Sequence, residues 1–161
     1  MAETNYFAKT KIVVPFDFSD FSAGAVETAC KIASRNEQVT VLHVIDPAQL
    51  HGFDDNGGYE LAGELGNSLA NIEGANEIDE ANRKKALQAM QDLFEKSDCV
   101  GVHFAAVVDA PTIGIVEFAS QNGVELIVMP SHGRTGIKRL LIGSVAEHVV
   151  RSAHCPVLVL R

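Results

Sequence analysis

The chain predicts an α/β fold, a single open five-stranded parallel sheet with helices on both faces, and three observations carry that expectation. Short, dense apolar runs alternate with helix-like stretches, the order that parallel βαβ units with right-handed crossovers produce. Aromatic residues make up only 6% of the sequence and Trp is absent, so the core rests on Val, Ile, Leu and Ala. That composition suits strands buried on both faces. A length of 161 residues fits one domain, 1–161, able to bury a full core without disulfides or a structural metal.

The elements follow in order. Lys11-Ile-Val-Val-Pro-Phe16 reads as a buried strand, and Asp17-Phe-Ser-Asp20 supplies the turn chemistry that opens a helix. Ala23 to Ser34 is that helix, with Ala25, Ala29, Ile32 and Ala33 toward the core. Val39 to Ile45 is the second strand, stopped by Asp46-Pro47, and residues 102–108 form the third. Pro111 sits well at the first turn of a helix running through Ala119. Glu125 to Met129 is the fourth strand, Val145 to Ser152 the last helix, and Val157 to Leu160 the fifth strand. Only the second crossover is long. It begins with an acidic, Gly-rich insert at about 47–78, in which Leu61, Leu65, Leu69 and Ile72 recur at the spacing of a short amphipathic helix. A helix from Ile78 to Lys96 follows, with Ile78, Ala81, Met90 and Leu93 or Phe94 facing inward.

Charge narrows the function classes. The formal net charge is −8, and from Pro47 to Asn82 there is no Lys or Arg beside Asp54, Asp55, Glu60, Glu64, Glu73, Glu77, Asp79 and Glu80. Those acids account for the whole excess. An acidic surface repels a phosphate backbone, so nucleic acid is a poor partner. No run approaches the ~18 apolar residues of a membrane span, and Met1 to Lys11 has no apolar signal region. The expectation is a cytoplasmic protein. Cys30, Cys99 and Cys155 lie far apart, with no CxxC pair, and read as reduced, buried thiols instead of a zinc site or disulfide framework.

The chemistry concentrates after the fourth strand. From Met129 the chain runs P-S-H-G-R-T-G-I-K-R-L-L-I-G-S-V-A-E-H, with Gly133, Gly136 and Gly143, the bases Arg134, Lys138 and Arg139, and hydroxyls at Ser131, Thr135 and Ser144. Glycines let backbone N–H groups approach an anion closely. Gly143-Ser144 opens a helix whose free N–H groups and positive dipole end attract phosphate. Ligands of open parallel sheets sit beyond the carboxyl ends of the strands where connections diverge. With the first and fourth strands as neighbours, Asp17 faces this loop and can accept hydrogen bonds from a ribose or base. Neither a Walker A sequence nor GxGxxG after the first strand occurs.

The glycine spacing resembles that of the universal stress protein family, whose ATP-binding members carry G-x2-G-x9-G-[ST] after the fourth strand. Here nine residues separate Gly133 from Gly143-Ser144. The resemblance extends to V-P-F-D-F-S (Val14 to Ser19), L-H-V-I-D (Leu42 to Asp46) and C-P-V-L-V-L (Cys155 to Leu160), and so to all of the chain but the insert. It implies a Rossmann-like sheet, of the adenine nucleotide alpha hydrolase type, in the order 3-2-1-4-5. It implies ATP or AMP as ligand, with Mg²⁺ arriving on the triphosphate. Adenine and ribose would lie near Pro15, Asp17, Val44 and Met129, and phosphates against Gly133, Gly143, Ser144, the Val145 backbone and Arg134. A homodimer pairing Val157, Leu158, Val159 and Leu160 across a two-fold axis is also implied. An apolar edge strand needs cover, which agrees.

One departure stands out. Pro130, followed by Ser131, occupies the place of the motif's first glycine. Proline has no N–H, holds φ near −65° and adds ring bulk. A hydrogen bond lost there costs roughly 1–2 kcal/mol, about tenfold in affinity. Asp109-Ala110-Pro111 replaces the Gly-Asp-Pro of many relatives, a smaller change at a helix start.

Plainer readings compete for several of these residues. Ser144 with Glu147 matches a capping box, Asp17 can cap the first helix or its turn, and Lys138 and Arg139 fit a solvated basic face. His132 beside Ser131 has no acid to orient it and no GxSxG elbow, which favours a turn or ligand-lining role over catalysis. His43 and His103 read as structural, and His51, His148 and His154 have no partner at ligand spacing. Three functions follow: a nucleotide-binding stress-response regulator acting as a dimer, a nucleotide-free dimeric scaffold working through protein contacts, and a slow ATPase with no identifiable base.

Overall fold

A computed structural model describes residues 11–47, 69–133 and 142–161. Its elements are β1 (Ile12–Pro15), α1 (Asp20–Ile32), β2 (Val39–Ile45), α2 (Leu69–Phe94), β3 (His103–Val108), α3 (Pro111–Gln121), β4 (Leu126–Pro130), α4 (Ser144–Ser152) and β5 (Val157–Leu160). The five strands form one sheet in the order β3-β2-β1-β4-β5, with every pair parallel.

Side-chain alternation along the strands divides the core into two layers. Ile12, Val14, Val41, Leu126 and Val128 point to one face, where Ala25, Val26 and Ala29 of α1 and Met90 and Phe94 of α2 cover them. Val13, Leu42, Ile127 and Met129 point to the other, under Ile115 and Ala119 of α3 and Ala146 and Val149 of α4. Ser19 caps α1 through a side-chain acceptor for Ser22 N–H, and Pro111 stands in the first turn of α3.

The second crossover departs from expectation. The helix begins at Leu69, well before Ile78, and so takes in the end of the predicted insert. Residues 48–68, with Leu61 and Leu65, lie outside the described residues. Ile78 and Leu93 are 51% and 54% exposed, and Ala81 is exposed too, whereas Met90 and Phe94 are buried. The inward stripe runs back from Phe94 through Met90 to Leu87 in steps of four and three residues, and Ile78 and Ala81 fall off it.

The ladder between the two central strands stops early, and its chemistry explains why. β1 pairs with β4 only at Ile12↔Leu126 and Val13↔Ile127. Leu126 N–H donates to Lys11 O, so the alternating bonds of a parallel ladder assign the next rungs to Val13 N–H and Val128 N–H. The two after those belong to the nitrogens of Pro15 and Pro130, which carry no hydrogen. On their outer sides both strands continue, with Pro15 opposite Leu42 and Pro130 opposite Leu160. The sheet therefore splits between its central strands at their carboxyl ends.

The cysteines are unpaired thiols. Burial pushes the Cys30 thiol up to about 12, and its hydrogen bond to the Cys99 thiol adds to this. A folded-state value above the unfolded one means that folding favours the protonated thiol. Stability is then lost as pH rises from about 9 towards 12. The expected result is a Cys30→Ser protein whose melting temperature falls less than the wild type's between pH 8.5 and 10.5.

Candidate functional site

The split opens a cavity of about 340 Å³ at the carboxyl ends of the strands, a volume within the range of small-molecule sites. Pro15, Met129 and Pro130 form its floor, Val44, His43 and Asp46 one side, and Pro111 and Ile115 of α3 another. Ser131, His132, Gly133, Gly143, Ser144 and Val145 make the wall opposite Asp17. Ten of the eleven residues singled out in the sequence thus meet around one space, and the remaining one, Arg134, lies outside the described residues.

Asp17 is held by its own turn. Its Oδ1 accepts from Ser19 N–H at 3.1 Å and from the Ser19 hydroxyl at 2.5 Å. Its N–H donates to Ser22 Oγ at 3.3 Å, and the Ser22 hydroxyl donates to Ser19 O at 2.9 Å. Ser19, not Asp17, caps the helix, so Asp17 organises the preceding turn, the second of the plainer readings. Between them Phe18 has φ of +64°, a left-handed conformation that is costly for a bulky residue. Its ring meets Phe16 and His43 edge-on, with centroids 5.0 and 4.9 Å away. His43 Nδ1 lies 2.7 Å from Phe16 O, and because a carbonyl only accepts, that nitrogen carries the proton. The second carboxylate oxygen of Asp17 reaches the opposite wall, where a Cβ on Gly133 would stand 2.8 Å from Oδ2. Only glycine fits there without movement.

The far wall is a short cradle. Gly143 N–H donates to Ser131 O at 2.8 Å, tying the start of α4 to the end of β4, and a Cβ on Gly143 would lie 3.2 Å from that oxygen. Gly143 is the N-cap of α4 and makes no side-chain cap bond. Ser144 is therefore the first helical residue, and the capping box expected of it with Glu147 is absent. Glu147 instead pairs with Arg151 at 2.9 Å. No side-chain cap occupies the first-turn N–H groups, and Ser144, Val145 and Ala146 of that turn line the cavity at the positive end of the helix dipole. Ser131 Oγ and His132 Nδ1 are 2.9 Å apart, and His132 Nε2 is buried without a partner among the described residues. Pro130 borders the cavity and also a shallower groove with Phe21 and Leu160, on the α1 side of the sheet.

Sequence reasoning assigned His43 a purely structural role and passed over Phe18, Asp46 and Ile115. His43 sits mid-strand, Phe18 and Asp46 lie within two residues of Asp17 and Val44, and Ile115 reaches the site only through folding. Among the described residues no group of three or more His, Cys, Asp or Glu side chains could hold a metal ion. No helix among them is long and apolar enough to cross a membrane.

The family model described as "Universal stress protein family" matches residues 9–161. The chain belongs to the universal stress protein family. Among its relatives, universal stress protein MJ0531 of Methanocaldococcus jannaschii is 37% identical over 152 residues, which cover 94% of this chain and 81% of that one. Universal stress protein MJ0577 of the same organism is 33% identical, with 94% of each chain covered. A solved structure of MJ0577 superposes with a TM-score of 0.70 at 29% identity, covering 95% of this chain and 96% of that one. A universal stress protein crystallised in complex with cAMP shares the fold, at a TM-score of 0.55 and 24% identity, over 96% of this chain and 98% of that one.

Proposed function

We propose that this universal stress protein binds an adenine nucleotide, ATP or AMP, in the crevice between β1 and β4 and acts as a dimeric regulatory protein. The observation that carries the reading is the pairing of opposite walls. Gly133, Gly143 and the uncapped start of α4 stand on one side, and the Asp17 carboxylate on the other. Donor-rich backbone suits phosphate oxygens, and a carboxylate suits the hydroxyls of a ribose. Pro15, Val44 and Met129 supply apolar surface for the base. Arg134 follows Gly133 in the sequence and carries a charge suited to phosphate, and Mg²⁺ would travel with the triphosphate. In this reading the neutral part of the nucleotide fills the cavity, of about 340 Å³, and the phosphates lie along its open side. In at least one protein this fold holds an adenine nucleotide, cAMP.

The dimer contact in this reading is β5. It is an edge strand whose four residues are all half-buried, and a second copy would pair its open backbone edge. Titration calorimetry with ATP and AMP, with sedimentation of the same samples, tests both parts. The expected results are saturable binding of at least one nucleotide and a mass of two chains. Heat-free titrations with both nucleotides, on a protein that releases no nucleotide when denatured, would leave the scaffold reading in its place.

A further inference from the structure

We infer that Pro130 is a specificity-determining residue, because it leaves the carbonyl of Pro15 for a neutral hydrogen-bond donor of the ligand. The inference rests on the nucleotide reading above and adds to it what the floor of the site selects. Residue 130 stands where its nitrogen belongs on the rung to Pro15 O, as the register of Val13↔Ile127 and the Lys11 O bond require. Phe16 N–H is already committed to Leu42 O, and Ser131 N–H to Leu160 O, both on the outer sides of the split. Neither neighbouring amide can turn inward to serve Pro15 O without breaking a sheet bond.

Pro15 and Pro130 both line the cavity, and neither can donate a backbone hydrogen bond into it. This part of the floor accepts and does not donate. A phosphate or carbonyl oxygen placed there would meet a carbonyl oxygen, whereas a hydroxyl or amino group would complete the rung that proline leaves open. In a nucleotide two groups have that chemistry, a sugar hydroxyl and the base amino group. A residue with an N–H at position 130 would satisfy Pro15 O from within the chain, close the split by one rung and remove the preference.

Two measurements test this, on Pro130→Ala and on Pro130→Gly in case one variant does not fold. In the ligand-free variant, the amide of residue 130 is expected to exchange with solvent at least tenfold more slowly than an open amide, reporting its bond to Pro15 O. In the second, dissociation constants are compared for ATP, 2′-deoxy-ATP, 3′-deoxy-ATP and ITP. The wild type is expected to lose about tenfold on the analogue that lacks the donor to Pro15 O, the value of one neutral hydrogen bond, beside any loss on a deoxy analogue that Asp17 causes. Both variants should lose less than about threefold on that same analogue. The deoxy analogues report a sugar hydroxyl, and ITP reports the amino group. Equal discrimination by wild type and variants, or an amide at 130 that exchanges freely, overturns the inference while leaving nucleotide binding intact. A wild type that binds none of the four defeats the nucleotide reading, and the inference falls with it.

Discussion

Replacing Asp17 by alanine is expected to weaken ATP binding about 10- to 100-fold, measured as a calorimetric dissociation constant. The magnitude is that of a hydrogen bond to a charged acceptor, roughly 1.5–3 kcal/mol. Two roles of the side chain have to be separated. Oδ1 holds the turn through Ser19, while Oδ2 lies against Gly133 at the rim of the cavity. Loss of the turn bonds alone would let Phe18 leave its left-handed conformation and lower stability by about 1 kcal/mol. Asp17→Asn separates the two. Its amide oxygen can still accept from Ser19, so the melting temperature should stay near the wild type's, while the lost charge weakens ribose binding about tenfold. An Asp17→Ala protein that melts early but binds ATP as tightly as wild type would confine Asp17 to the turn.

The extent to which the fold was legible in the sequence follows from which signals are local. Five apolar runs and their helices are local patterns, and each predicted strand matches an observed one to within a residue at either end. The order 3-2-1-4-5 is not local, since periodicity does not say which strands pair. It came from the family resemblance. The long crossover was misjudged because a helix with an exposed Ile78 and Leu93 carries a misleading stripe, and the real one is set by what the sheet presents to Met90 and Phe94. Ser144 matched a capping box in sequence, but whether a serine is the cap or the first helical residue depends on the backbone angles of its neighbour, here Gly143 with φ −62° and ψ 153°. The prolines are the most instructive case. The sequence displays both, Pro130 as a lost contact, yet only the register shows that they belong to consecutive rungs of one ladder. Two residues 115 positions apart in the chain open the crevice together.

Gly114→Val is expected to destabilise the protein by about 3 kcal/mol, lowering the melting temperature by roughly 6–12 °C for a domain of this size. A glycine within a helix costs about 1 kcal/mol relative to alanine, so its presence in α3 calls for a packing reason. That reason is on the inner face of the helix. A Cβ at Gly114 would stand 2.9 Å from Val44 Cγ1 and 3.0 Å from Asp109 Cβ, with Val107 Cγ2 at 3.5 Å. Val44 could give way by changing rotamer, but the Cβ of Asp109 is fixed to the backbone, and Asp109 N–H is itself bonded to Ile45 O. Helix α3 must then move off the sheet. Alanine recovers helix propensity while meeting the same two contacts, so Gly114→Ala should cost only about 1 kcal/mol, less than the clash by itself. The movement also reaches the cavity, because Val44, Pro111 and Ile115 line it and all three flank Gly114 in space or sequence. Gly114→Ala, still folded at 25 °C, is therefore expected to bind ATP several-fold more weakly, although residue 114 is not among those lining the cavity. Thermal unfolding and calorimetry on the same sample measure both effects. A Gly114→Ala protein as stable as wild type or more so, with unchanged affinity, would show that the sheet and α3 accommodate the methyl group and that the close approach has no role in shaping the site.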